Sequence, residues 1–224
     1  MNRFSIPMLF CFIAISVPFA FGQEEWRIVA SDESWREEGI NLAFTDLAEL
    51  GKSHGIRFEK AKEQDAEFAR TILVGDASRN RRVEALAKKG LISMDPNIHP
   101  EGYRIATIEN DGKKILVVAG GSIQGDIYGL YWIWDRLRVL GAIPDLNLAR
   151  EPDLQIRYTR RVVNNKEDIR RALRYGLNTV YGENPLRLVP WNAEPERTEN
   201  EKFREQTREL AAYAHSVHLK ILAM

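Results

Sequence analysis

The sequence predicts an α/β protein in two parts: a small α+β domain with a mixed sheet and helices on one face, then an alternation of strands and helices. Three observations predict it. Asn110-Asp111-Gly112 sits between two strand-like runs and supplies the positive φ of a tight antiparallel hairpin. Apolar residues at helical spacing follow Gly120-Gly121. After residue 157, short apolar runs alternate with helical patterns, as in a parallel barrel or a doubly wound sheet. The 224 residues allow one or two domains, and 44% apolar residues are enough for a packed core.

Residues 1–22 come first and are set apart from the fold. Arg3 precedes an apolar run from Phe4 to Phe19, and Ala20 and Gly22 place small residues where a signal peptidase reads. The run is shorter than the roughly 20 residues a membrane span needs. It reads as a cleavable leader, which predicts a secreted or periplasmic protein with no membrane partner after cleavage.

Trp26–Ala30 reads as a strand, and Ser31 or Asp32 as the cap of a helix carrying Ile40, Phe44, Leu47 and Leu50. Residues 56–60 alternate as a strand, and Thr71–Val74 reads as a buried one closing at Gly75. A short helix over 80–89 ends at Gly90, because glycine tolerates the left-handed cap. Strands at 103–108 and 114–118 flank the hairpin, and a long helix runs to Gly141. This order, β-α-β-β-α-β-β-α, makes residues 23–141 one layered domain. Residues 142–156 hold two prolines and no period, and read as a linker.

From 157 to 224 the expectation is a strand at 157–163, a helix at 166–175 and a strand at 177–181. A proline-bearing loop, a helix at 203–215 and a strand at 219–223 follow. Eight βα units and about 250 residues make a complete barrel. This stretch supplies two units and a bare strand, so it reads as a truncated barrel start.

Composition narrows function. Lys+Arg and Asp+Glu are both 32, so the chain lacks the basic excess of a nucleic-acid binder. The single cysteine, Cys11, excludes a disulfide scaffold and a Cys-based zinc site. His215 and His218 lack a third ligand, and the glycines of 120–125 lack the Lys-Ser/Thr of a phosphate loop. No cofactor or metal is expected, and oligomeric state is not legible.

Gly102-Tyr103-Arg104-Ile105, Asp111-Gly112-Lys113 and Gly125-Asp126-Ile127-Tyr128-Gly129 together resemble the small domain that precedes the barrel in β-hexosaminidases. They are similar also to the N-terminal domain of α-glucuronidases. Arg160-Arg161, then Tyr175 to Val180, then Ala214 to Leu222 resemble the first barrel strands of such enzymes. The resemblance covers residues 26–224 and does not separate the two types. It implies a secreted glycoside hydrolase of polysaccharides or glycans, with carbohydrate as its partner. Its acidic pair would lie after a later strand, so no catalytic residue is assigned in this chain. A non-catalytic carbohydrate-associated module, or an inactive remnant, is the alternative.

The resemblance also implies that Arg161 or Arg160 grips sugar hydroxyls from the first barrel strand, through several fixed donors. Side chains alternate on a strand, so only one of the two points inward. Glu183 and Trp191, in the loop past the second strand, are further substrate-binding candidates, the tryptophan through stacking. Tyr128, Tyr131, Trp132 and Trp134 are expected to pack the core and the seam between the two parts. Arg170-Arg171 is expected on a solvated helix face.

Overall fold

The computed structural model describes residues 24–93, 95–182 and 196–223. Residues 1–22, expected as a leader, therefore lie outside the described residues. Among those described, no helix is long and apolar enough to cross a membrane.

The first part is a six-stranded mixed sheet in the order β2-β1-β3-β5-β4-β6. Strand β1 (Glu24–Ala30) pairs in parallel with both β2 (Ile56–Lys62) and β3 (Arg70–Val74). Flanked on both sides, it buries Trp26, Ile28, Val29 and Ala30 completely, the near-continuous apolar run of a parallel strand covered on two faces. The hairpin joins β4 (Tyr103–Asn110) to β5 (Lys113–Gly120), and β5 runs parallel to β3. Asp111 and Gly112 both take positive φ, 51° and 70°, the backbone that the Asn-Asp-Gly signal anticipates.

The α/β class holds, but the helices do not share one face. Helix α1 (Glu38–Ser53) and α3 (Ile123–Leu140) pack on the side that bears Ile28, Ile72 and Val118. Helix α2 (Arg81–Lys88) covers the opposite side with Val83 and Leu86, against Val29, Leu73 and Val117. Strands apolar in consecutive positions need cover on both faces, so the single-face expectation is corrected. Ser31 also serves a different element. Its hydroxyl accepts the Ser34 amide at 3.1 Å and starts a 3₁₀ turn over Ser34–Arg36, and α1 begins only at Glu38.

The segment expected as a linker contributes a strand. Residues 147–150 form β6, which pairs antiparallel with β4, Tyr103 opposite Arg150 and Ala106 opposite Asn147. Four residues with two polar ends carry no readable alternation; the open edge of β4 decides their conformation.

The second part holds α4 (Lys166–Arg174), β7 (Thr179–Gly182), α5 (Glu196–Ser216) and β8 (Lys220–Ala223). Strands β7 and β8 pair in parallel. The strand expected over 157–163 shrinks to one parallel bridge, Val162 with Tyr181, reinforced by the Val163 amide donating to the Tyr181 carbonyl at 2.7 Å. Bends at Arg160 and Arg161 break the rest. Helix α5 starts earlier than the apolar spacing suggested, because its first two turns are polar.

A single apolar core joins the parts: Ile40, Leu47 and Ile127 belong to the same buried cluster as Ile169, Leu173 and Val217. Two polar networks lock the seam. Asp46 of α1, almost wholly buried, receives Arg170, Arg174 (Nε at 2.9 Å, Nη2 at 2.8 Å) and the Tyr131 hydroxyl at 2.9 Å. The Arg170-Arg171 pair is thus not a solvated face. Arg170 turns into the seam, its guanidinium pKa lowered by burial and by neighbouring Arg174, while Arg171 lies 3.5 Å from Asp168. In the second network Arg157 pairs with Glu101 and donates to the Gly176 carbonyl at 2.8 Å. Asn178 bonds Glu101 at 3.1 Å, and the Tyr128 hydroxyl donates to the Leu177 carbonyl at 2.9 Å. Tyr128 and Tyr131 therefore pack the seam, as their spacing suggests.

Candidate functional site

Parallel strands followed by helices gather functional side chains at their carboxyl ends. Here that end is formed by β7, β8 and the bridge at Val162. Asn165 caps α4 by accepting the Asp168 amide at 2.9 Å, and Ile169 and Leu173 bury its apolar face. Gly176, at φ 67°, turns the chain into β7. Val180 is fully buried toward the helices, so alternation places Thr179 and Tyr181 on the other face of β7.

Tyr181 meets Tyr158 edge to face, with ring centroids 5.0 Å apart. The Tyr158 hydroxyl raises the Tyr181 pKa above the ordinary phenol value, desolvation adds to it, and the charge of Arg160 opposes it. Arg161 has its Nη2 3.6 Å from Asp168 of α4, and its side chain is 67% exposed. With bends at both positions, strand alternation does not set the directions of the two arginines. Glu183 and Trp191 lie outside the described residues.

A cation with several donors next to two phenol rings suits a polyhydroxylated ligand: donors meet vicinal hydroxyls, and rings meet apolar C–H faces. The sequence pattern does not single out Tyr158 or Tyr181. Tyr158 and Tyr181 are brought together only by the tertiary pairing at the Val162 bridge. Among the described residues no group of three or more His, Cys, Asp or Glu side chains is placed to hold a metal ion. His218 instead meets Glu37 at 3.0 Å across the seam.

A second charged cluster lies at the carboxyl ends of β3 and β5. Asp126, fully buried in the first turn of α3, accepts the Gly120 amide at 2.6 Å. Its Oδ2 is 3.2 Å from Arg79 but out of line for a hydrogen bond. Arg79 also donates to the Gly120 carbonyl at 2.6 Å and lies 3.2 Å from Asp76. Burial outweighs the attraction of Arg79 and lifts the Asp126 pKa to about 7. The native state thus holds a proton that the unfolded chain releases near the ordinary value of 3.8. Between these two values the native form binds more protons, so stability falls as pH rises from about 4 to about 7. Thermal melts across that window should show the decline, of the order of a few kcal/mol. Asp126→Asn should flatten it, and an unchanged slope in this variant would remove Asp126 as its source.

Residues 27–133 match the family model described as glycosyl hydrolase family 67 N-terminus. No curated protein matches the chain. Among solved structures, a GH138 enzyme targeting pectin rhamnogalacturonan II superposes with a TM-score of 0.57 at 15% identity. The superposition covers 89% of this chain and 31% of that enzyme. CpGH84D superposes with a TM-score of 0.55, also at 15% identity, covering 89% of this chain and 33% of the other. The chain therefore spans about a third of the length of these structures. At such identity the likeness is one of fold, and it extends past residue 133 into the second part. Over just under half of the chain, the first part is similar to the N-terminal domain of family 67 glycosyl hydrolases.

Proposed function

We propose that this chain forms the N-terminal part of a secreted glycoside hydrolase of polysaccharide or glycan degradation, of β-hexosaminidase-like or α-glucuronidase-like type. In this reading the mixed-sheet domain buttresses a catalytic (β/α)8 barrel that opens with residues 157–223. Arg160, flanked by Tyr158 and Tyr181, holds the terminal sugar at the carboxyl end of the first barrel strands. The observation that carries the reading is the joint one: a family 67 N-terminal match over 27–133, and a superposition on a glycoside hydrolase that covers 89% of this chain. Residues 1–22 are the export leader, and the carboxyl groups of general acid–base chemistry belong to later barrel strands.

The test compares this chain with the full product of its gene on aryl N-acetyl-β-glucosaminide and aryl α-glucuronide. The gene product should hydrolyse one of them, and this chain alone neither. In the active form Arg160→Ala should lower kcat/KM about a hundredfold, the loss of charge-assisted hydrogen bonds worth about 3 kcal/mol. Arg161→Ala, facing α4, should leave kcat/KM nearly unchanged. Turnover by this chain alone would refute the placement of the acid–base pair, and equal effects of the two arginines would refute the assignment of Arg160.

A further inference from the structure

The seam between the two parts encloses an open cleft of about 380 Å³, within the range of ligand pockets. We propose that this cleft is a second carbohydrate site that binds a neutral oligosaccharide segment away from the Tyr158–Tyr181 site. The choice of a glycan rests in part on the glycosidase reading above; its neutrality and its location rest on the cleft itself.

The walls are aromatic. Tyr103 of β4, Trp132 of α3 and Tyr175, just past α4, line the cleft. Tyr175 is 75% exposed, far more than a ring of its size needs for packing. Rings of this kind offer flat apolar faces to the C–H side of a pyranose. Between them stand polar groups that the fold leaves open. Among the described residues the Tyr103 hydroxyl, the Trp132 Nε1 and the Arg150 guanidinium make no hydrogen bond or salt bridge. Burial pushes the Tyr103 hydroxyl up to about 12, so it stays a donor at any working pH.

Charge selects the ligand class. Arg150, Arg157 and Arg174 line the cleft together with Glu101, Asp135 and Glu151. Two of the three cations are already engaged, Arg157 by Glu101 and Arg174 by Asp46. Asp135 is held between Arg136 and Arg138, which keep its pKa low. A lining with equal numbers of each sign presents no net field to concentrate an anion. It presents scattered donors and acceptors, which match the hydroxyls of an uncharged sugar.

Position separates this site from the first. Gly176 borders the cleft and precedes β7, whereas Tyr181 lies near the far end of that strand. A sugar held here is bound at the amino end of the strands and is an anchor for a polymer.

The test titrates the full chain with neutral xylo-, cello- and chito-oligosaccharides and with an acidic oligogalacturonide, read by NMR shifts and calorimetry. At least one neutral oligosaccharide should bind at millimolar concentration, and the acidic one should bind more weakly. Tyr175→Ala and Arg150→Ala, both at exposed positions, should each weaken binding about tenfold without moving the melting temperature. Arg160→Ala should leave it unchanged. Absence of binding by every neutral sugar overturns the proposal, as does preference for the oligogalacturonide or affinity that survives both cleft substitutions. None of these outcomes bears on hydrolysis by the gene product. Conversely, cleft binding in a protein without hydrolysis would remove the glycosidase reading and keep the site.

Discussion

Asp46→Ala should destabilise the protein by about 3–5 kcal/mol, the effect of removing one partner from a buried ion pair. The carboxylate is almost fully inaccessible and meets Arg170, Arg174 and the Tyr131 hydroxyl at once. Its loss leaves two guanidiniums in the seam, each about one-fifth exposed. Glu49 and Glu167 remain nearby, at 3.0 Å from Arg170 and Arg174 respectively, and place the effect toward the lower bound. The damage should be directional, since Asp46 ties α1 of the first part to α4 of the second. Hydrogen exchange should show α4 losing protection before the six-stranded sheet. A combined Asp46→Leu, Arg170→Met, Arg174→Met variant should recover most of the loss, because apolar replacements need no counter-charge. If Asp46→Ala melts within a degree or two of the parent protein, the network is surface decoration and the seam is held by its apolar core.

Gly125→Ala should be comparably severe, at about 3 kcal/mol, for a steric reason. A Cβ at this position would stand 2.2 Å from the Gly102 carbonyl oxygen, 2.9 Å from the Gly120 Cα and 3.0 Å from the Pro100 oxygen. All three are backbone atoms of other segments, so no rotamer change relieves the contact, and α3 must lift from the ends of β4 and β5. Overpacking of this kind costs about 1–3 kcal/mol and more where the surroundings cannot yield. Gly55→Ala is the control. That residue has φ 72° and no neighbour within 4 Å, so it incurs only the left-handed penalty of about 1–2 kcal/mol. Denaturant melts of the two variants measure the difference, and equal losses would mean that close approach does not constrain Gly125.

These two residues differ in how far the sequence announces them. Gly125 belongs to a visible motif, Gly-Asp-Ile-Tyr-Gly, and the structure supplies its reason: Gly125 and Gly129 let α3 settle onto Gly102 and Val118. Asp46 has no signature. It is one acidic residue among several on an amphipathic helix, and its arginine partners lie more than 120 positions away. The same divide runs through the candidate site. Arg160 and Arg161 stand out as a pair, but that Arg161 lies against Asp168 of α4 was decided by the tertiary structure.

What the sequence determined alone is what local chemistry dictates. The hairpin follows from residues that accept positive φ, and the end of α3 from a Gly141 stop, which the structure shows at φ 69°. The element order from β1 to α3 follows from periodicity. Tertiary structure decided everything that depends on a neighbour. It placed α2 on the opposite face of the sheet, drew residues 147–150 onto the open edge of β4, and reduced the first strand of the second part to a bridge. The physical reason is one of range. Dihedral preference, capping and side-chain period act over a few residues, whereas sheet edges, buried charges and packed faces are satisfied only by groups brought close from far along the chain.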